Sequence, residues 1–223
     1  MSEQYIVLTP PTVEPVSLID AKTYLRVDFS DDDLLIANLI SRARSLCETI
    51  TGKAWAYQKI QEVFIIERPE GGTLSGPIEK GANWYNFQQQ LGSNPFGPAQ
   101  FFFDLAMPPI DRVLLPVIET KVVAFDPWTV FTQYTNSDGS TNTWVDYTQE
   151  PARMYIQSPI TANFYRFTFW CGFGGTNTYP LPGDLKQALY EAINYLYDYR
   201  EAEDFPGELK AKLLRKRVAS AWI

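Results

Sequence analysis

Histidine is absent from this chain of 223 residues. Its absence removes the commonest general base, the Ser-His and Cys-His nucleophile pairs, and most zinc sites. Cysteine is scarce. Cys47 and Cys171 are the two present, far apart and on expected regular elements, and either a disulfide or two free thiols would fit. Buried free thiols are the expected state, since an unpaired Cys is usually a small core residue. Positive charge is in short supply: 19 Lys and Arg stand against 26 Asp and Glu, for a net charge of −7. A generic nucleic-acid coat is not expected on that balance, because phosphate binding needs net local positive charge. An acidic surface past which DNA slides is compatible with it. No run reaches the ~18 apolar residues of a membrane-spanning helix. The opening Met-Ser-Glu-Gln-Tyr has neither a basic start nor an apolar signal core, so synthesis in the cytoplasm is expected.

Hydrophobic residues make up 45% of the chain, enough for a real core in one domain with an insertion or in two small domains. Tyr5 to Leu8 reads as a strand or an extended arm before Pro10-Pro11. Ser17 is a good N-cap, with Asp20 three residues on. Asp31, Asp32 and Asp33 then cap a second helix start, where negative charge meets the positive helix end. Leu35, Ile36, Leu39, Ile40, Ala43, Leu46, Cys47 and Ile50 follow at helical spacing, and Gly52 is a natural stop.

The middle of the chain changes period. Gln58 to Ile66 reads as a strand. Residues 69–100, with Pro69-Glu-Gly-Gly, three consecutive glutamines and Gly92-Ser-Asn-Pro, read as a long loop or arm. Trp84, Tyr85 and Phe87 within it are expected to dock on a partner. Phe101 to Phe103, Lys121 to Phe125 and Phe164 to Cys171 read as strands. Asn136-Ser-Asp-Gly139 reads as a hairpin turn between Val130-Phe131 and Trp144-Val145. Helix returns after Leu181-Pro-Gly-Asp184, with an apolar stripe through Leu185, Ala188, Leu189, Ala192, Ile193 and Leu196. A last short helix over Glu208 to Arg217 carries acid at its start and Arg215-Lys216-Arg217 at its end.

The expected fold is therefore α+β: a helical core from both chain ends with an inserted antiparallel β-rich unit. The expected divisions are an arm and helical pair over 1–57, a β-rich insertion over 58–180, and C-terminal helices with a docking tail over 181–223.

Residues that could carry chemistry read blandly. Adjacent carboxylates at Asp31–Asp33 point apart on a helix, so capping outweighs catalysis. Gly172-Phe-Gly-Gly175 lacks phosphate-loop spacing and ends a strand. No catalytic, cofactor-binding or metal-binding residue is assigned, and no cofactor is expected. The aromatics Trp128, Phe131, Tyr134, Trp144, Tyr147, Tyr155 and Trp170 fit either a β core or a carbohydrate-binding surface. The basic stretch Lys210, Lys212, Arg215, Lys216, Arg217 fits either a docking surface for an acidic partner or DNA, or a solvated helix end. Tyr190 and Tyr197 share a helix face suited either to an interface or to packing within the subunit.

The segment Pro15-Val-Ser-Leu-Ile-Asp-Ala-Lys-Thr-Tyr-Leu-Arg-Val-Asp28, the run Asp-Asp-Asp-Leu-Leu-Ile, and Thr51-Gly-Lys-Ala54 resemble the opening of tailed-phage head–tail connector proteins, the head-completion adaptors. Leu181-Pro-Gly-Asp-Leu-Lys-Gln-Ala-Leu189 with Tyr199-Arg-Glu201 resembles their second helical segment. The strand into Gly172-Phe-Gly174 and Leu213-Leu-Arg-Lys-Arg-Val218 fit the same order. Together these pieces cover about half of the chain.

The resemblance implies a non-enzymatic structural virion protein. Its subunits would form a ring, dodecameric in most of the family, docked on the portal protein after DNA packaging. The ring would receive a stopper or tail protein, and genomic DNA would pass through its lumen without sequence-specific binding. The location implied is the virion neck. Portal docking would fall to Leu209, Leu213, Leu214, Arg215, Lys216, Arg217, Val218 and Trp222, with residues 209–223 dispensable for folding. Arg42, Glu48, Tyr190 and Tyr197 are the candidates for the interface between subunits. The alternative is a tail-terminator or baseplate protein with a carbohydrate-binding β unit.

Overall fold

The computed structural model describes residues 5–65, 82–83, 100–132, 142–148, 150–157, 162–175 and 179–217. The chain is α+β and divides into two compact units. Helical segments from both chain ends make one unit; strands from the middle, joined by the N-terminal strand, make the other.

The helical unit holds α1 (Leu18–Leu25), α2 (Asp33–Thr51), α3 (Gly183–Asp198) and α4 (Gly207–Leu214). α1 starts at Ser17, whose Oγ accepts from the Asp20 N–H at 3.1 Å. It ends at Arg26 in the left-handed region, whose N–H returns to the carbonyls of Lys22 and Thr23. α2 differs from expectation at its start. Asp32 occupies the N-cap position but makes no side-chain cap bond, because its carboxylate is drawn to Tyr197 instead. Gly52, at φ 66°, closes α2 with its N–H on Glu48 O. Ile36, Leu39, Ile40, Ala43 and Cys47 of α2 meet Leu185, Leu189, Ala192, Ile193 and Leu196 of α3 in one apolar core. Val16, Ala21, Trp55, Phe205, Leu209 and Leu213 complete it. Full burial of a side chain such as Leu189 is worth about 1.5–3 kcal/mol. Both cysteines are buried free thiols, and burial, helped by the Glu48 charge, pushes the Cys47 thiol well above its usual range.

Gly172 belongs to the same unit. Its N–H bonds Pro109 O at 2.8 Å. Its φ is +102°, and a Cβ there would fall 2.0 Å from the Ala56 carbonyl oxygen. Only glycine fits.

The β unit has two sheets. The first runs β1 (Tyr5–Thr9), β2 (Gln58–Ile65), β9 (Phe164–Cys171), β5 (Val117–Lys121), β6 (Thr129–Val130). The second runs β3 (Ala82–Asn83), β4 (Gln100–Asp104), β8 (Arg153–Gln157), β7 (Thr143–Asp146). β9 alternates as its sequence requires: Tyr165, Phe167, Phe169 and Cys171 are buried, and the residues between them are half-buried. Phe103 packs against Phe64, Tyr165 and Phe167 with ring centroids 4.8–5.1 Å apart, an aromatic core in the tilted geometry such rings favour.

Two strand expectations change. The apolar run from Val122 to Phe125 is a turn, not a strand; β5 lies just before it and ends at Lys121. The expected hairpin around Asn136–Gly139 has its turn outside the described residues. The strands flanking it do not pair: β6 lies in the first sheet and β7 in the second.

Candidate assembly surface

The helical unit is braced by polar contacts at α1, α2 and α3. Lys22 Nζ donates to Phe29 O at 2.7 Å and to Asp33 Oδ1 at 2.5 Å, clasping the α1–α2 turn. Tyr197 donates its hydroxyl proton to Asp32 at 2.6 Å. That bond, with the negative charge beside it, pushes the phenol up. Arg200 lies 3.7 Å from the same carboxylate. Arg42 reaches from α2 to the carbonyls of Arg200 and Ala202, at 3.1 and 2.5 Å. It satisfies acceptors beyond the end of α3, a favourable place for a cation. Tyr190 stacks on Tyr24 at 4.9 Å.

Of the interface candidates, Arg42, Tyr190 and Tyr197 are thus engaged within the chain. Glu48 is a correction of place: it is buried, not on the surface. Its Oε1 accepts from the Trp55 N–H at 2.8 Å, and its Oε2 from Arg44 at 2.7 Å. Arg44 also meets Glu14 at 2.8 Å. Burial pushes the Glu48 carboxyl up, against the opposing pull of Arg44 and two backbone amides.

The docking candidates divide by burial. Leu209 and Leu213 are buried in the helical core, so the notion that residues 209–223 are dispensable for folding is withdrawn. Leu214 is exposed at 46%. Arg215 and Arg217 are exposed and make no ion pair among the described residues. The other basic groups are committed: Lys210 to Asp204 at 2.5 Å, Lys212 to Glu191 at 2.8 Å, and Lys216 to Asp184. Val218, Trp222 and the loop aromatics Trp84, Tyr85 and Phe87 lie outside the described residues.

No group of three or more metal-ligating side chains gathers among the described residues. Among them, too, no helix is long and apolar enough to cross a membrane. Several of the described aromatics of the middle region pack against neighbours, and Tyr134 lies outside the described residues. Trp144 stacks on Tyr155 at 5.1 Å and Trp170 on Tyr57 at 5.0 Å, while Trp128 carries the Arg166 guanidinium at 4.4 Å.

Two exposed features escaped sequence reasoning. The β5–β6 turn presents Val122, Val123 and a 98% exposed Phe125. It is pinned by Asp126 N to Val123 O at 3.0 Å, Val123 N to Asp126 Oδ2 at 2.9 Å, and Asn163 Nδ2 to Val122 O at 2.8 Å. The strand β1 presents Ile6, Val7 and Leu8 together. A signal existed at β1, where apolar residues run without alternation. In the turn, the same apolar signal mimics a strand.

The class this architecture defines is a four-helix unit built from both chain ends, carrying a two-sheet β unit. No protein-family model matches the chain, and no curated protein matches it. Solved structures do share the fold. A chain in the neck of an empty gene transfer agent particle, computed with C6 symmetry, matches at TM-score 0.60 and 16% identity, covering 96% of this chain and 95% of that one. A chain in the virion of a native gene transfer agent particle matches with the same values.

Proposed function

We propose that this chain is a non-enzymatic structural subunit of a virion neck, a head–tail connector adaptor. The observation that carries this reading is the fold. Helical and β units together match a neck chain over nearly its whole length, although so distant an identity transmits fold rather than residue roles. The sixfold symmetry of that neck supports a closed ring of subunits joined head to tail, and a ring of twelve copies would satisfy it. The partners proposed are the portal protein, a stopper or tail protein, and further copies of this chain. Genomic DNA would pass through the lumen without specific contact. Three of the five basic residues near α4 are neutralised by acids of the same chain, which supports a docking role over DNA binding. Synthesis would be in the host cytoplasm.

Portal docking is assigned to the end of α4, through Leu214, Arg215 and Arg217 with Val218 and Trp222. Leu209 and Leu213 seat the helix that carries them. Lys216, tied to Asp184, fixes its end. The test is removal of residues 218–223 in the context of particle assembly. The expected result is a folded protein that no longer co-purifies with portal and a collapse in tailed-particle yield. Normal yield would overturn the docking assignment.

A further inference from the structure

Among the described residues, the five-stranded sheet ends in β1 on one side and β6 on the other. Edge strands offer unsatisfied backbone groups, and proteins usually guard them with lysine, proline or charge. Neither strand here carries such a residue, although Pro10-Pro11 follows β1 at once and β6 is only two residues long. Tyr5-Ile-Val-Leu-Thr9 contains no charged residue and no proline, and neither does Thr129-Val130. Side chains of successive strand residues point to opposite faces. Exposure of 57%, 46% and 45% at Ile6, Val7 and Leu8 therefore means that both faces of β1 are uncovered. At the other edge Val130 is 71% exposed. Beside it stands the pinned β5–β6 turn with Phe125 at its tip, an apolar contact already ordered before any partner arrives.

We infer that β1 of one copy pairs with the β6 edge of the next, so that the sheet continues from subunit to subunit. The inference rests on the ring reading above and names the surfaces that close the ring. Charge selects the occupant. Each copy carries a net charge of −7, so like copies repel except where the meeting surfaces hold no charge. The strand residues of both edges meet that condition, and the turn beside β6 adds one acid, Asp126, whose carboxylate accepts the Val123 N–H. The edges are also different surfaces, as a head-to-tail ring demands; a two-fold dimer would use one surface twice. Strand addition supplies main-chain bonds, and the exposed aliphatics supply the fit. The join is short. β1 is about 17 Å long and β6 has two residues, so the contact is small against the ~800 Å² per partner of a stable pair. Copies would therefore stay apart when dilute and join when concentrated or held on a template.

The experiment is disulfide trapping between concentrated copies under air oxidation, with Val7→Cys and Val130→Cys. Cys47 and Cys171 are buried and leave wild type as a clean control. The double variant should give a ladder of covalent oligomers. A mixture of the two single variants should stop at dimers, and each single variant alone should stay monomeric. Dimers from Val7→Cys alone, or trapping no stronger than for an Ile19→Cys and Leu34→Cys control pair, would overturn the inference. A second variant, Val7→Lys, should keep the wild-type circular dichroism and melting temperature but lose rings in electron micrographs of particle necks. Rings that persist with Val7→Lys overturn the edge pairing and leave the ring intact. Wild-type necks without rings overturn the ring reading itself.

Discussion

At Glu48, burial and hydrogen bonding pull against each other. The carboxylate is held by Trp55 N–H and by Arg44, inside the helical core. Taking away Glu48 leaves the buried Trp55 N–H without its acceptor and Arg44 with Glu14 as its remaining carboxylate, at about 1–3 kcal/mol. Glu48→Ala should therefore lose stability of that size in denaturant unfolding, and a loss below 1 kcal/mol would contradict the network. Gly172→Ala should fail for a different reason. Its backbone is left-handed and its Cβ would strike the Ala56 carbonyl. Strain of this kind costs about 1–3 kcal/mol before the clash is counted, read as a lowered melting temperature. Sequence reasoning reached Ser17 and Gly52 because caps are local. It misplaced Glu48 because polarity says surface, while the period says core: Glu48 lies two helical turns beyond the buried Ile40 and shares its face. Asp32 likewise reads as a cap, and only α3 supplies the Tyr197 that claims it.

Among the elements, α4 is an eight-residue helix, as short as α1, and too short to hold alone in water. It is fixed by Leu209 and Leu213 beneath and by three ion pairs at its surface. Leu213→Ala should cost about 2–5 kcal/mol, and removal of 209–223 should cost more, whereas removal of 218–223 should leave thermal unfolding unchanged. The ion pairs add an acid dependence. The Asp184 carboxyl is held below its ordinary value, chiefly by the hydrogen bond from Lys216, and Asp204 is held low by Lys210. An acid lowered by folding contributes stability above its unfolded value of about 3.9, and that contribution is lost as pH falls through the folded value. Asp184→Asn with Asp204→Asn should flatten the decline in melting temperature below about pH 4; an unchanged acid limb would contradict the pairing. The helix itself was legible from its period. Its buried side was not, since an amphipathic helix reads alike whether its apolar face meets its own chain or a partner. Alternation made β9 plain, while the turn after β5 carries a strand's composition with its apolar residues turned outward.

On the scale of the whole molecule, helices from both ends and strands between them were legible because each period persists over many residues. The sheet edges were not, because strand order depends on contacts far apart in sequence. Charge supplies the remaining test. With 26 acidic and 19 basic residues, copies approaching one another meet long-range repulsion. The proposed edge strands are uncharged, so their attraction is chiefly apolar and main-chain in character. Salt screens the first, with a Debye length of about 10 Å at 0.1 M and about 3 Å at 1 M. It leaves the second nearly untouched. Self-association should therefore strengthen as ionic strength rises from about 0.05 to 0.5 M, read as a growing weight-average mass in sedimentation equilibrium at fixed protein concentration. An interface built from ion pairs would respond in the opposite direction, so a mass that falls with salt would point to charged faces of the helical unit. The same titration with duplex DNA present separates docking from nucleic-acid binding. Arg215 and Arg217 alone should give no salt-sensitive retention of DNA at about 0.15 M, since affinity at that salt needs many neutralised phosphates.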